Sequence, residues 1–300
     1  MKLSRRFVLG GLVAGATSIP LRALAQLDLG SVSIETLSDG NLVLPPSMFL
    51  ADRPFEDAFE ILRAGGFSTE EIKPDCNVTL LRDGTNTVLF DVGAGPNFMP
   101  SAGTLLDSLD ALGVSPEEIT HVLFTHGHPD HLWGVLDDFD EPVFMNARHL
   151  MSRVERDYWL DPATPDSLGE ERLAFAAGAI RMIETLGDTL ETFEDGEEIL
   201  PGIFSVPTNG HTPGHTSFRI TSGSEEIVVI GDAIGNAHVA FAEPLWHSGS
   251  DQDTVMGAET RLNLLTSLAQ SASVVVGYHF PFPGMGRVET EGNAFRYTAL

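Results

Sequence analysis

Two periods of apolar and polar residues occur along the chain, and together they predict strands interleaved with helices. Period-two alternation at 32–37 predicts a strand, and two such runs at 77–82 and 87–91, joined by Asp83-Gly84, predict a hairpin. Further runs of strand type occur at 121–124, 142–145, 199–208, 216–221, 225–232, 274–278, 287–289 and 295–297. Helical spacing occurs at 55–66, 104–112, 147–159, 168–186 and 255–270.

The order of these elements predicts the fold class. Strands and helices alternate as in α/β proteins, but hairpins are mixed in, so we expect mixed sheets. We therefore predict an αββα sandwich, in which two mixed β-sheets are flanked by helices and the loops gather at one edge. The length of the segment 26–300 suits one such domain with a full hydrophobic core.

Residues 1–25 differ from the rest and predict a targeting segment. Arg5-Arg6 precede an apolar run at 8–19 that is rich in glycine and alanine, and a small-x-small cleavage site follows at 23–25. The run is too short and too rich in glycine for a stable membrane span. We predict a twin-arginine type signal peptide, and therefore a periplasmic or secreted protein. A retained N-terminal anchor is the alternative.

The acidity of the predicted mature chain limits its partners. The leader contains four basic residues and no acid, which leaves 13 basic against 43 acidic residues and a formal net charge of −30. Nucleic acids and anionic membrane surfaces repel such a chain, so the charge argues against a nuclease and favours a small neutral substrate. Cys76 is the only cysteine, so no intramolecular disulfide can form.

The stretch Thr125-His126-Gly127-His128-Pro129-Asp130-His131 is the strongest chemical signal in the sequence. Four side chains that bind metals well lie within six residues, directly after the apolar run at 121–124. His126 and His128 project to the same side of an extended segment, whereas Asp130 and His131 point in different directions. This arrangement predicts two adjacent metals. Imidazole and carboxylate ligands suit zinc, and also manganese, iron or cobalt.

Three later residues of ligand type follow predicted strands or turns. Pro213-Gly214 forces a turn that presents His215, whereas Asp232 and His279 each end a strand. With the first motif they amount to five histidines and two aspartates, which is enough for two metals that share one carboxylate. Asp91 ends a strand beside a glycine-rich loop, where it either supports a metal ligand or stabilises the turn.

The order His-x-His-x-Asp-His, Thr-Pro-Gly-His, Gly-Asp and a late His resembles the metallo-β-lactamase superfamily over nearly the whole mature chain. The resemblance implies two divalent metals, with a hydroxide held between them as the nucleophile. It assigns one metal to His126, His128 and His215 and the other to Asp130, His131 and His279. Asp232 would bridge both metals, Asp130 would orient the hydroxide or pass its proton to the leaving group, and His211 would have a supporting role.

The stretch at 278–286, Tyr-His-Phe-Pro-Phe-Pro-Gly-Met-Gly, resembles the C-terminal motif of the methyl parathion hydrolase-like branch. That resemblance implies hydrolysis of a neutral ester or phosphotriester. Quorum-quenching lactonases share the metal motif but typically carry a tyrosine three residues after the bridging aspartate, where this chain has Gly235. A lactonase or β-lactamase-like amidohydrolase is the second interpretation, and a metal-binding protein without hydrolytic activity is the third.

Five apolar side chains, four of them next to these motifs, are candidates for substrate contact. They are Phe49 in the apolar loop at 45–50, Trp133 after the first motif, and Phe280, Phe282 and Met285 after the last ligand. Such a rim favours a neutral, apolar or aromatic substrate. Packing in the core is the alternative for each of them. The sequence leaves open whether the protein is a monomer or a homodimer.

Overall fold

The structure, a computed structural model, describes residues 26–300, and the predicted signal peptide at 1–25 lies outside the described residues. These residues form two seven-stranded sheets that pack face to face, with helices on both outer sides. This arrangement confirms the predicted αββα sandwich. None of the helices described between residues 26 and 300 is long and apolar enough to cross a membrane.

The strands of the first sheet lie side by side in the order of the sequence. They are β1 Gln26–Leu29, β2 Val32–Asn41, β3 Asp75–Arg82, β4 Thr87–Phe90, β5 His121–Leu123, β6 Arg148–Ser152 and β7 Leu190–Phe193. Neighbours from β1 to β4 are antiparallel, and neighbours from β4 to β7 are parallel. The sheet is mixed because hairpins join β1 to β2 and β3 to β4, whereas connections that contain helices join the last four strands.

The second sheet contains the later strands. They are β8 Glu198–Leu200, β9 Ile203–Pro207, β10 Thr216–Ser222, β11 Glu225–Val229, β12 Val274–Val276, β13 Met285–Glu291 and β14 Ala294–Ala299. Their spatial order runs from β14 at one edge to β8 at the other. Strands β11 and β12 are parallel because a long helical connection separates them in the sequence, and the other neighbours are antiparallel.

Helices cover the outer faces of both sheets. They are α1 Phe59–Ala64, α2 Leu105–Leu112, α3 Pro129–Leu132, α4 Arg153–Leu160, α5 Thr164–Ser167, α6 Leu173–Leu186, α7 Val239–Ala242 and α8 Thr254–Ser271. Helices α2, α3 and α6 pack on the first sheet, and α7 and α8 pack on the second. The apolar loop at 45–50 contains a short 3₁₀ segment, Pro46–Met48.

Several strands are apolar at every position because both of their faces are buried. In β11, Ile227 and Val229 enter the core between the two sheets, whereas Val228 packs toward α8. In β4, Leu89 faces the outer helices while its two neighbours enter the core between the sheets. Packing on both faces therefore fixes the ends of these strands, from which the candidate ligands project.

Two predicted elements are wrong. The range 142–145 forms turns, and the strand of that region is β6, which the prediction placed inside a helix at 147–159. Leu150 of β6 enters the core between the sheets, and parallel pairing with β5 and β7 outweighs helical spacing over so short a segment. The predicted strand at 199–208 is a hairpin of β8 and β9, because Gly202 turns the chain at φ +80°.

Candidate metal centre

The first histidine motif forms the loop between β5 and α3. Strand β5 ends at Leu123, and Pro129 begins α3, where a residue without an N–H group is tolerated. His128 precedes this proline and is extended, with φ −72° and ψ 158°, as the proline requires. The loop therefore presents His128 from extended backbone and Asp130 from a helical turn, and His126, His128 and Asp130 are all buried.

Seven side chains with metal-binding atoms converge in the loops that follow β5, β9, β11 and β12. They are His126, His128, Asp130, His131, His211, Asp232 and His279. His131 Nε2 lies 3.2 Å from Asp232 Oδ1, and His279 Nε2 lies 3.2 Å from Asp130 Oδ2. Asp232 is central, because its Oδ2 lies 3.3 Å from Nε2 of His211 and 3.3 Å from Nε2 of His279.

His211 and His215 have the opposite of their predicted roles: the sequence analysis placed His215 among the metal ligands and gave His211 a supporting role. His211 faces the donor group, with its Nε2 2.8 Å from Nδ1 of His128. His215 is turned away, because its Nε2 accepts the backbone N–H of Asp232 at 3.0 Å and its Nδ1 donates to Thr208 Oγ1 at 2.8 Å. Both ring nitrogens of His215 are used within the protein, which contradicts its predicted placement among the metal ligands.

Four of the histidines are oriented by a hydrogen bond from Nδ1, which leaves Nε2 to face the group. The acceptors are Thr125 Oγ1 for His126 at 3.0 Å, Asp91 Oδ2 for His131 at 2.8 Å, Asp251 Oδ1 for His211 at 3.1 Å, and the Asp75 carbonyl for His279 at 2.9 Å. Asp91 also accepts the N–H and the hydroxyl of Thr125. Its φ of +65° is a strained, left-handed conformation. The structure thus places Asp91 in contact with the predicted ligand His131.

Five buried atoms of this group make no hydrogen bond of regular geometry within residues 26–300, although some of them lie 3.2–3.4 Å from one another. They are Nε2 of His126, His128 and His131, Oδ2 of Asp130 and Oδ1 of Asp232. A buried polar atom without a partner destabilises a fold by about 1–3 kcal/mol, so five together in one place require an explanation. Imidazole nitrogens and carboxylate oxygens that face one another are the donor set of zinc and similar cations. The residues present therefore fit bound divalent metal.

The electrostatics of the group favour bound positive charge. Burial lowers the pKa of His126 well below its usual value, so this imidazole is neutral and has a free lone pair. Burial opposes the charged form of His131 too, but the carboxylates of Asp232 and Asp130 outweigh it and raise the pKa of His131 well above its usual value. The field that would hold a proton there would also hold a cation. Cys76 lies beside Asp130, and burial raises the pKa of its thiol to about 12.

Glu155 is a supporting residue that the sequence analysis missed. Its carboxylate is buried on α4 and accepts four hydrogen bonds. Oε1 accepts from the Gly127 N–H at 2.8 Å and from Trp159 Nε1–H at 2.7 Å. Oε2 accepts from the Thr212 hydroxyl at 2.7 Å and from the Gly214 N–H at 3.0 Å. Because three of the donors belong to the two histidine motifs, one side chain ties both motifs together.

Three further supporting residues were also missed. Asp251 accepts the Nδ1–H of His211 and pairs with Arg261 Nη2 at 2.8 Å. Arg261 is buried and also donates to the backbone carbonyls of Pro244 and Trp246. Both charged side chains of this buried ion pair therefore have further hydrogen-bond partners, Arg261 with these carbonyls and Asp251 with His211. Tyr278 donates its hydroxyl to the backbone carbonyl of Asp130. The only sequence signal for Tyr278 was its place next to a predicted ligand, and Asp251 and Arg261 had none.

A cavity of about 520 Å³ opens beside Asp130, Asp232 and His279. Much of its lining is apolar, and most of the apolar side chains come from the segment at 42–72. They are Leu42, Leu44, Met48, Phe49, Leu62, Phe67, Ile72, Phe98 and Phe175. Of the five predicted substrate contacts, Phe49 lies in the wall of this cavity, which reaches the donor group.

The other four predicted contacts do not line this cavity. Trp133 packs against α6 in the core on the outer face of the first sheet. Phe280 is fully buried in the core on the outer face of the second sheet, and Met285 is buried between the two sheets. Phe282 lies one residue beyond the lining but is not part of it. Apolar packing, the alternative in the sequence analysis, accounts for the first three.

Comparison with known proteins gives matches over most of the chain. A family model described as the metallo-beta-lactamase superfamily matches residues 73–277. An uncharacterised protein of Mycobacterium tuberculosis is 29% identical over 243 residues, which cover 77% of this chain and 94% of the relative. The N-acyl homoserine lactonase AttM of Rhizobium johnstonii is 31% identical over 127 residues, which cover 42% of this chain and 44% of that protein.

Two solved structures resemble the whole fold. The hydrolase AbOPH of the beta lactamase superfamily is 30% identical, with a TM-score of 0.86, and the match covers 92% of this chain and 97% of that one. AidC, described as a dizinc quorum-quenching lactonase in complex with a product, is 24% identical, with a TM-score of 0.88. That match also covers 92% of this chain and 97% of the other, and at this identity it shows the fold alone.

Proposed function

The chain belongs to the metallo-β-lactamase superfamily, and on this premise we propose that it is a dinuclear metal-dependent hydrolase of small, neutral esters or phosphotriesters. Membership identifies a metallohydrolase; the number of metals and the bond that is hydrolysed are what we propose. One observation carries the proposal. Four buried donor atoms that make no hydrogen bond of regular geometry in the described chain face one another: Nε2 of His126 and of His131, Oδ2 of Asp130 and Oδ1 of Asp232.

The donors divide into two sites on either side of Asp232. We assign one metal to His126, His128 and His211 and the other to Asp130, His131 and His279. Asp232 lies between them, because one carboxylate oxygen is 3.2 Å from His131 Nε2 and the other is 3.3 Å from His211 Nε2. Zinc suits these ligands, and manganese, iron or cobalt are the alternatives. When bound, the two cations would lower the pKa of a metal-bound water to about 7 and would stabilise the oxyanion that develops on the substrate.

Asp130 is the side chain that we assign to proton transfer. It lines the cavity, and its Oδ2 makes no hydrogen bond of regular geometry in the described chain. The Tyr278 hydroxyl holds the backbone of Asp130, and His279 Nε2 lies 3.2 Å from Oδ2. Asp130 can therefore orient an attacking water and pass a proton to the leaving group. No serine or cysteine nucleophile is needed for this reaction.

The cavity lining supports a neutral substrate. Its two cationic residues among those described already have partners, since Lys73 pairs with Glu71 at 2.6 Å and Arg172 donates to the Gly249 carbonyl. Apolar side chains such as Phe49 contribute much of the wall. The strongly negative charge of the chain also repels polyanionic substrates.

Lactone hydrolysis is the second candidate, and the similarity to the lactonase AttM favours it. At the position where quorum-quenching lactonases typically carry tyrosine, this chain has Gly235. A Cβ atom on Gly235 would meet no other atom within 4 Å, so a larger side chain has room there. If the two activities share this site, Gly235→Tyr should raise lactone turnover relative to aryl ester turnover.

The test combines metal loading with a substrate panel. The protein is loaded with zinc, manganese or cobalt and assayed with a 4-nitrophenyl ester, an aryl phosphotriester and a lactone. We expect two metals per chain and turnover of the ester or the phosphotriester. Asp232→Ala should lose metal and activity together, whereas His247→Ala, outside the donor group, should retain both. Preferential lactone turnover would favour the second candidate, and full metal loading without turnover of any substrate would overturn both.

We further propose that the protein is exported by the twin-arginine route and acts in the periplasm or outside the cell. The paired arginines and the small-x-small site at 23–25 support this proposal. The intact mass of the exported protein should correspond to a chain that begins at Gln26. A mass that retains the leader would contradict cleavage at this site.

A further inference from the structure

Two polar side chains after Asp232 line the cavity but do not belong to the donor group. They are Asn236 and His238, which lie between β11 and α7. Backbone N–H groups near the start of α7 fix both of them. Asn236 Oδ1 accepts from the N–H of His238 at 3.3 Å and from the N–H of Ala240 at 2.9 Å. His238 Nδ1 accepts from the N–H of Val239 at 2.9 Å.

These bonds determine which polar atoms remain for a ligand. Because backbone N–H groups occupy its oxygen, Asn236 has only its amide N–H₂ left, and this group is a donor. Burial lowers the pKa of His238 to about 4, so its imidazole is neutral at physiological pH. A neutral imidazole whose Nδ1 accepts a hydrogen bond carries its proton on Nε2. Neither Nδ2 of Asn236 nor Nε2 of His238 bonds to any other described residue.

The His238 ring is held rigidly among apolar side chains of the same cavity. Its centroid lies 4.3 Å from that of Phe67 and 5.5 Å from that of Phe49, and both phenylalanines line the cavity. The space next to Gly235 is open. A donor that is already fixed loses little conformational freedom when a ligand binds. The cavity therefore combines two neutral donors with an apolar surface.

We propose that Asn236 and His238 form a donor site that binds an acceptor oxygen of the substrate away from the bond that is hydrolysed. The apolar chain next to that oxygen would pack on Phe49 and Phe67. The substrate class is then an ester whose acyl part carries a carbonyl oxygen within an apolar chain. The proposal relies on the proposed function for the reacting bond, but the donor site can be tested without it.

Two substitutions at His238 separate its donor role from its structural role. His238→Gln keeps an amide N–H near the position of Nε2 and loses the ring acceptor. His238→Asn keeps an acceptor for the Val239 N–H but has no donor that reaches as far into the cavity. Asn236→Asp is the matched change at the second position, because it keeps the oxygen that binds the backbone N–H groups and removes the amide donor.

The substrates are 4-nitrophenyl 6-oxooctanoate and 4-nitrophenyl octanoate, which differ by one carbonyl group in place of a methylene. For the keto ester, His238→Asn and Asn236→Asp should each lower kcat/KM about tenfold, mainly through KM, because a neutral hydrogen bond is lost. His238→Gln should recover most of that loss. For the octanoate ester, which has no such acceptor, His238→Asn should change kcat/KM by less than about twofold.

Equal losses for the two esters in His238→Asn, or no loss for the keto ester, would overturn the donor site and leave ester hydrolysis intact. If the wild-type protein hydrolysed neither ester, binding would decide. In protein labelled with ¹⁵N-histidine, octan-3-one should shift the Nε2 resonance of His238, which is assigned by its absence from the His238→Asn spectrum. No shift up to the solubility limit of the ketone would refute the proposal.

Discussion

Replacing Glu155 by glutamine tests whether one carboxylate holds the two histidine motifs together. Three of the four partners of Glu155 are N–H donors and the fourth is the Thr212 hydroxyl, so both of its oxygens accept hydrogen bonds, while burial raises its pKa. Glutamine has nearly the same shape but only one acceptor oxygen. Its amide N–H₂ would face either the two N–H donors of Gly127 and Trp159, or the Gly214 N–H together with the Thr212 hydroxyl, which can turn to accept.

The expected loss of stability follows from the bonds that are removed. A hydrogen bond to a charged acceptor contributes about 1.5–3 kcal/mol, so the loss of one or two would destabilise the fold by about 1.5–6 kcal/mol. Removing a buried charge offsets part of this loss. We therefore expect Glu155→Gln to lower the free energy of unfolding by about 2–4 kcal/mol. This corresponds to a decrease in Tm of roughly 5–15 °C for a chain of this size.

Thermal unfolding followed by circular dichroism measures the loss, and competition with a chromogenic chelator measures zinc affinity. Loosened motifs should weaken metal binding by about 10–100-fold. Trp159→Phe is the matched control, since it keeps an aromatic ring and removes one of the four donors, and it should destabilise the fold by about 1–2 kcal/mol. If Glu155→Gln melts at the wild-type temperature and binds zinc as tightly, the carboxylate does not hold the motifs.

Four other substitutions, the first two of them a matched pair, test separate parts of the structure. His211→Ala should lose one of two bound metals, whereas His215→Ala should retain both metals and lose stability. Emission spectrometry measures the metal content, and the reverse result would contradict this assignment. Burial lowers the pKa of His149 from 6.5 to about 4, so its contribution to stability is present above pH 6.5 and is lost as the pH falls through 4. As the pH falls from 6.5 to 4, the free energy of unfolding in urea should decrease less for His149→Leu than for the wild type, by up to about 3 kcal/mol. The same pH dependence in both proteins would show that His149 does not destabilise the fold at low pH. Gly178→Ala would place a Cβ atom 2.2 Å from the Trp133 ring and should destabilise the fold by about 1–3 kcal/mol, so an unaltered Tm would show that the indole moves freely.

Local patterns were sufficient to predict the fold class and to select most of the residues that converge at the centre. Apolar runs such as β11 and β12 indicated buried strands, and their polar ends carry Asp232 and His279. The turn at Pro129 and the spacing of His126 and His128 likewise depend on residues that are close in sequence. Periodicity and turn chemistry are properties of neighbouring residues, which is why one sequence contained this information.

Contacts between distant segments settled the remaining assignments. Whether His211 or His215 faces the donors depends on the path of β11, because the N–H of Asp232 binds Nε2 of His215. Glu155 carries no local signal either, since two of its hydrogen bonds come from Gly214, 59 positions away, and Thr212, 57 positions away. Hydrogen bonds of this kind exist only once the two segments have been brought together.

The apolar candidates show the same dependence. Trp133, Phe280 and Met285 pack in cores, whereas Phe49 lines the cavity, although it was the other three that follow a metal-binding motif in the sequence. An apolar side chain gains a similar free energy when it leaves water for a core or for the wall of a cavity. Composition and position therefore predict that such a residue is removed from water, but the surface it packs against depends on how the sheets and helices are arranged around it.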